Sequence, residues 1–167
     1  MSVVEGFVQE FEMESAITRR VLARVPDDRL TWKPHPKSMS AGVLAHHLAM
    51  TPSLIAEWAL VDSFEAPDGE SQHQPSSTAE VLALHDEGVN KVKAALNQIG
   101  DAGLQHPWQM TKKGVTVFGM PSKAALVRMV VLNHSYHHRG QLSVYLRLLD
   151  VPVPAIYGPS ADESSPS

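Results

Sequence analysis

Four stretches of this chain set apolar side chains at spacings of three and four, and breaks rich in Pro, Gly or Ser separate them. That period marks helices with one buried stripe each. Such stripes must be hidden against one another, so the pattern predicts an all-α chain folded as a four-helix bundle. The 167 residues suit one domain. We assign it to residues 1–160 and expect a disordered tail over 161–167, ending Asp-Glu-Ser-Ser-Pro-Ser.

The first helix is expected from about Val3 to Val25, with Val4, Phe7, Val8, Phe11, Leu22 and Val25 on one face. Ser15 and Thr18 share that face, which puts something polar near the middle of the bundle. Pro26-Asp27-Asp28 ends the helix. An extended strap, Leu30 to Lys37, carries two prolines. Ser38 or Ser40 then caps a second helix with Val43, Leu44, His47, Thr51, Leu54, Trp58 and Val61 on one face. Pro52 inside it removes the bond to the Leu48 carbonyl and is expected to bend the rod. Residues 63–77 read as an exposed loop. Thr78 is expected to cap a third helix that carries Val81, Leu84, Gly88, Val92, Ala95 and Ile99 inward and stops at Gly100. Lys112-Lys113-Gly114 between Trp108-Gln109-Met110 and Val115-Thr116-Val117-Phe118 suggests a small hairpin. The last helix starts near Pro121 and aligns Val127, Val131, His134, His138, Gln141 and Tyr145.

His134 and His138 lie four apart, so their imidazoles stand one above the other on one helix face. Both fall on an apolar stripe, where an unsatisfied imidazole costs free energy. A divalent cation satisfies both, and a third histidine from another helix leaves a coordination position open. His47 is in phase with Leu44, Thr51, Leu54 and Trp58, whereas its competitor His46 points about 100° away. The expected metal ligands are therefore His47, His134 and His138. Glu14, at the edge of the first stripe, is the nearest thing to a fourth. His137 is the candidate catalytic group; second-shell, interface and exposed readings stand beside that one. Thr18, Trp58, Gln141 and Tyr145 are candidate substrate contacts. Arg139 reads first as an ion-pair partner inside the bundle and second as an anchor for an anion. His35, His73, His85 and His106 are read as surface residues.

Several classes are excluded. Ser135 stands where a zincin needs its glutamate after the first histidine. There is no Gly-x-Ser-x-Gly turn for a serine hydrolase. No cysteine is present, so disulfides, thiolate ligands and a cysteine nucleophile are ruled out. The formal net charge of -4 and the lack of a basic stripe argue against nucleic acid. At 43% apolar the chain has enough for a core, yet no run reaches the roughly 18 apolar residues of a membrane span. The acidic N-terminal stretch is unlike a signal peptide, and a cytoplasmic location is expected.

Four sequence elements resemble the DinB/YfiT-like family, whose members are regarded as metalloenzymes. They are Leu44-Ala45-His46-His47-Leu48-Ala49, the run His134-Ser135-Tyr136-His137-His138-Arg139-Gly140-Gln141-Leu142 with Tyr145-Leu146-Arg147, the segment Pro152 to Ser160, and the strap Trp32 to Ser40. The resemblance implies a four-helix bundle, often a homodimer, with one divalent metal, nickel or zinc, on His47, His134 and His138. It further implies a small-molecule substrate and a low-molecular-weight thiol as cosubstrate, in the manner of thiol-dependent transferases and isomerases. We expect thiol transfer to a small electrophile, as in detoxification or stress response, with a stress-associated metal-binding module or a metal-dependent hydrolase as the alternatives.

Overall fold

The computed structural model describes residues 2–69 and 72–164. Helix α1 spans Val3–Leu22. Ser2 opens it with a capping box: its hydroxyl accepts from Glu5 N, and Glu5 returns a bond to Ser2 N. Helix α2 spans Ala41–Trp58, capped by Ser40 through Val43 N, and Pro52 lies within it. Helix α3 spans Thr78–Gly103. Its cap is Ser77, one residue before the expected one; the Thr78 hydroxyl instead donates to Val25 O at 2.6 Å and ties the helix start to the end of α1. Gly100 has a φ of 66°, a left-handed conformation that breaks the helix where a stop was expected and leaves one further turn.

The last helical rod has three parts. Ser122 caps helix α4, Lys123–Leu126; a π-helical segment covers Val127–Asn133; helix α5 runs His134–Leu148. The wider π turns change the phase of the helix beyond them. Past the histidines the fully buried line runs through Leu142 and Leu146, whereas Gln141 is exposed and Tyr145 half-buried. The single 3.6-residue stripe expected through Gln141 and Tyr145 is therefore one residue out of place.

The chain is mostly helical without being purely α. The expected hairpin is β2, Trp108–Lys112, and β3, Val115–Met120. Its turn holds Lys113 and Gly114 at φ of 52° and 74°, the two left-handed residues of a tight hairpin turn. A third strand, β1 (Ser63–Glu65), pairs parallel to β2, giving the order β1-β2-β3. Part of the loop expected over 63–77 is thus a strand. A three-residue strand is too short to show alternation, and its partner lies far along the chain.

α2 packs on α3 and on the last rod, and α1 packs on α3 and α5, closing a ring of four. Two apolar clusters fill the interior. One gathers Phe11, Ile55, Val92, Leu96, Trp108, Val127 and Val131; the other gathers Leu22, Leu44, Leu48, Val81, Leu142 and Leu146. On four helices buried polar residues fall between the two sets: Ser15 and Thr18 on α1, Thr51 and Ser53 on α2, His85 on α3, His138 and Arg139 on α5; Lys123, at the start of α4, is buried outside this belt and pairs with Asp62. The bundle therefore has a polar belt at mid-height. His85, expected at the surface, is 7% exposed, because Val81, His85, Gly88 and Val92 form a second helical line that turns inward.

Within residues 161–164, Asp162 and Glu163 are ion-paired to the helices. Arg20 donates to Glu163 at 2.5 Å, Arg24 to the same carboxylate at 2.9 Å, and Arg147 to Asp162 at 2.5 Å. Residues 165–167 of the expected tail lie outside the described residues.

Candidate metal centre

His47 on α2 and His134 and His138 on α5 meet where the two helices pack. One ligand nitrogen from each lies within 4.8 Å of the other two, and among the described residues no other set of three metal-ligating side chains does this. Ring centroids are 4.3 Å apart for His134 and His138, 4.6 Å for His47 and His138, and 5.2 Å for His47 and His134. The π segment ends immediately before His134 and so sets the angle at which both α5 histidines leave the rod.

Hydrogen bonds to neighbouring side chains orient the rings. The Gln141 side-chain carbonyl is an acceptor only, so His138 Nδ1 must donate to it, at 2.8 Å. That leaves a lone pair on His138 Nε2, which lies 3.0 Å from His134 Nε2. One proton sits between them, donated by His134. Moving it to His134 Nδ1, the other tautomer of a neutral ring, frees both lone pairs. Two nitrogens each about 2.0–2.1 Å from one ion stand about 3 Å apart, so the donor set and its spacing fit a divalent cation. Thr51, one turn along α2, places Oγ1 3.3 Å from His47 Nδ1.

Burial keeps the two α5 donors neutral. Burial, and then the neighbouring rings of His138, His47 and His137, push the His134 pKa down to about 4. Burial also lowers His138. A proton therefore competes poorly for these lone pairs at neutral pH. Among the described residues no carboxylate joins the three. Glu14, the nearest expected fourth ligand, is turned to Arg139 Nη2 at 2.6 Å and accepts from the Tyr157 hydroxyl at 2.8 Å.

The remaining candidates are dispersed. Thr18 Oγ1 accepts from Arg139 Nη1 at 3.1 Å. It lines an interior cavity of about 20 Å³, enough for a water molecule, which contains none of the three histidines. Trp58 stacks on Phe64 at 4.3 Å beside the small sheet. It lies eleven residues beyond His47, about 16 Å along the helix. Tyr145 donates to Met39 O at 3.3 Å and meets Trp32 edge-on, holding the strap. Gln141, expected as a substrate contact, accepts from His138. His137 is exposed, with its ring centroid 4.9 Å from that of His138. His46 turns away to face His73, with ring centroids 4.7 Å apart. Arg139, 1% exposed, is the ion-pair residue its first reading described.

No helix among the described residues is long and apolar enough to cross a membrane. Comparison with known proteins agrees with this architecture. The chain is 26% identical over 161 residues to uncharacterized protein YrdA of Bacillus subtilis (strain 168), covering 96% of this chain and 91% of that protein. It is 25% identical over 140 residues to uncharacterized protein YjoA of the same organism, covering 84% and 86%. The crystal structure of a DinB-like protein from Bacillus cereus ATCC 10987 superposes with a TM-score of 0.69 at 24% identity, covering 93% of this chain and 98% of that one. That of the DinB-like protein YjoA superposes at 0.65 and 22%, covering 87% and 92%. At these identities the structures establish the fold: four helices with a small sheet. The model of the DinB family matches residues 1–166, and the chain belongs to the DinB family.

Proposed function

We propose that this chain is a metal-dependent enzyme that transfers an external low-molecular-weight thiol to a small electrophile, as in cytoplasmic detoxification or stress response. The observation that carries the reading is the convergence of His47, His134 and His138, without a fourth ligand among the described residues. A structural site normally closes with four protein ligands, so three favours chemistry over scaffolding. A divalent ion, nickel or zinc, would supply Lewis acidity that lowers the pKa of a bound thiol or water.

The chain's own residues supply the rest. Three neutral imidazoles add no negative charge to repel a thiolate. With no cysteine in the sequence, the thiol comes from outside. Among the described residues no carboxylate stands beside the three histidines, which favours a thiol over a water that needs a base. His137 is exposed next to His138 and is assigned to accept the thiol proton. Gln141 holds His138 in the tautomer that presents Nε2.

The test uses untagged protein whose metal content is read by elemental analysis. Bacillithiol, mycothiol and glutathione are each offered with monochlorobimane. We expect metal-dependent conjugation with at least one thiol, lost in His138→Ala. Metal-loaded protein that conjugates none of them would sink the enzyme reading and leave a metal-binding module.

A further inference from the structure

The strongest polar feature outside the triad and the Arg139 network is a pair of residues, one on α1 and one on α3, that line the same spaces. Ser15 is 6% exposed and His85 7%. They stand between two spaces and line both. One is the interior cavity of about 20 Å³. The other is an open groove of about 330 Å³, with Ala16 and Val89 as its apolar part and Glu12, Arg19 and Asp86 charged around it.

Both side chains have bonding capacity left. Among the described residues Ser15 Oγ has no hydrogen-bond partner, and His85 uses only Nδ1, 3.3 Å from Asp86 Oδ1. No fully enclosed side-chain nitrogen or oxygen among these residues lacks a partner. The free atoms therefore keep a face open to the spaces they line.

The sign of that face follows from its neighbours. Arg19 donates to both oxygens of Asp86, at 2.8 and 2.9 Å, and these bonds hold the Asp86 carboxyl below its ordinary range. An ionised carboxylate can only accept, so His85 Nδ1 carries the shared proton. Burial keeps the imidazole below its usual range and hence neutral, so Nε2 offers a lone pair. Two of the charged side chains lining the groove are anionic and one is cationic, and that cation has Nε and Nη2 committed. Glu12 is paired with Lys93 and Asp86 with Arg19, so both carboxylates are balanced and what the groove offers is the unused lone pairs of Ser15 and His85, which accept hydrogen bonds.

We propose that the α1–α3 groove binds a small primary ammonium ion with a short alkyl body, its N–H groups donated to His85 Nε2 and Ser15 Oγ and its carbons lying on Ala16 and Val89. This site is separate from the histidine triad and does not depend on the thiol-transfer reading.

The test is an NMR titration of the isotope-labelled full chain with n-butylammonium chloride, against sodium butyrate at equal ionic strength. Saturable shifts centred on Ser15, Ala16, His85 and Val89 are expected with the ammonium and none with the carboxylate. Ser15→Ala and His85→Phe should each weaken binding roughly tenfold, the loss of one hydrogen bond. Ala16→Trp changes an exposed position and should block the groove without touching the core, so the test survives a misfolded His85 variant. Shifts that never saturate, an equal response to butyrate, binding retained in both Ser15→Ala and Ala16→Trp, or shifts centred on His134 and His138 would each overturn the proposal.

Discussion

His138 and Arg139 are neighbours in sequence and both are buried, yet they enter polar clusters of opposite kinds. Arg139 is closed on all sides by protein. It donates to Glu14 O at 3.0 Å, to Thr18 Oγ1 and to the Glu14 carboxylate, bonds the Tyr157 hydroxyl, and lies 5.3 and 5.0 Å from the Tyr136 and Tyr157 ring centroids. Its bonds cross from α5 to α1 and to the chain beyond α5, so they specify one packing. His138 bonds its own helix through Gln141 and His134, and its remaining polar surface converges with two other imidazoles. Both clusters are polar and lie in the interior. What separates them is whether the lone pairs and protons are used up within the protein or are aimed together at one point.

The largest test of that contrast is Arg139→Ala. It leaves Glu14 and Thr18 without their partner inside the bundle, and breaking one side of a buried pair costs about 3–5 kcal/mol. Denaturant unfolding should show that loss. A loss below about 1 kcal/mol would mean the network is ornamental. His138→Ala should do the reverse. It should lower divalent-metal affinity by more than about 100-fold, exceeding the effect of any second-sphere change. It should also destabilise the metal-free fold less than Arg139→Ala. A competition titration with a chelator reads the first quantity and urea unfolding the second.

Acid should act on the two clusters differently. The His134 pKa is about 4 in the fold against an ordinary 6.5, so the unfolded chain takes up the proton first. This contribution to stability is complete above pH 6.5 and is lost as pH falls towards 4. Its size is on the order of 1–3 kcal/mol in metal-free protein, since His134 keeps some solvent contact. Metal should be released over the same range. His134→Phe should flatten the apo stability profile there while Arg139→Ala leaves its slope in place. If removing the imidazole leaves the slope unchanged, the depressed pKa is not its source.

Gln141 sharpens the comparison further. Replacing it with Leu removes the acceptor that fixes the His138 tautomer, and metal affinity should fall about 10- to 100-fold. Gln141→Glu keeps an acceptor and should restore most of the affinity. If Leu and Glu are equally weak, the contact to His138 is not what matters.

The sequence carried much of this because it is local. An i, i+4 pair and the in-phase His47 need only helical period to be seen, and the caps at Ser40 and Gly100 need only residue chemistry. What was not legible is what the helix does away from 3.6 residues per turn. The π segment over Val127–Asn133 leaves no mark in the sequence, and the buried line of α5 runs through Leu142 and Leu146 rather than Gln141 and Tyr145. Long-range pairing was equally hidden: β1 finds β2 across more than 40 residues. Thr18 shows the middle case. Its place on the α1 stripe correctly announced a polar belt, but one-dimensional pattern cannot say that the belt's occupant is the chain's own Arg139. His85 was missed because two overlapping helical lines run along α3, through Leu84 and through His85, and packing against α1 chose between them.

The smallest expected effect is the one that tests the boundary of the triad. His73 shares one hydrogen bond with Glu80 at 2.6 Å and faces His46, and both His73 and Glu80 are substantially solvated. A solvated pair of this kind contributes about 0–1 kcal/mol. His46 precedes His47 by one residue, and that single step of about 100° sends its ring to this exterior pair and away from α5. His73→Ala should therefore leave metal affinity within about twofold of the parent, and His46→Ala should cost far less than His47→Ala. If either His73→Ala or His46→Ala lowers the affinity tenfold or more in the chelator titration, the exterior histidines are coupled to the ion. The division between a convergent triad and self-contained polar pairs would then have to be redrawn to include the chain between β1 and α3.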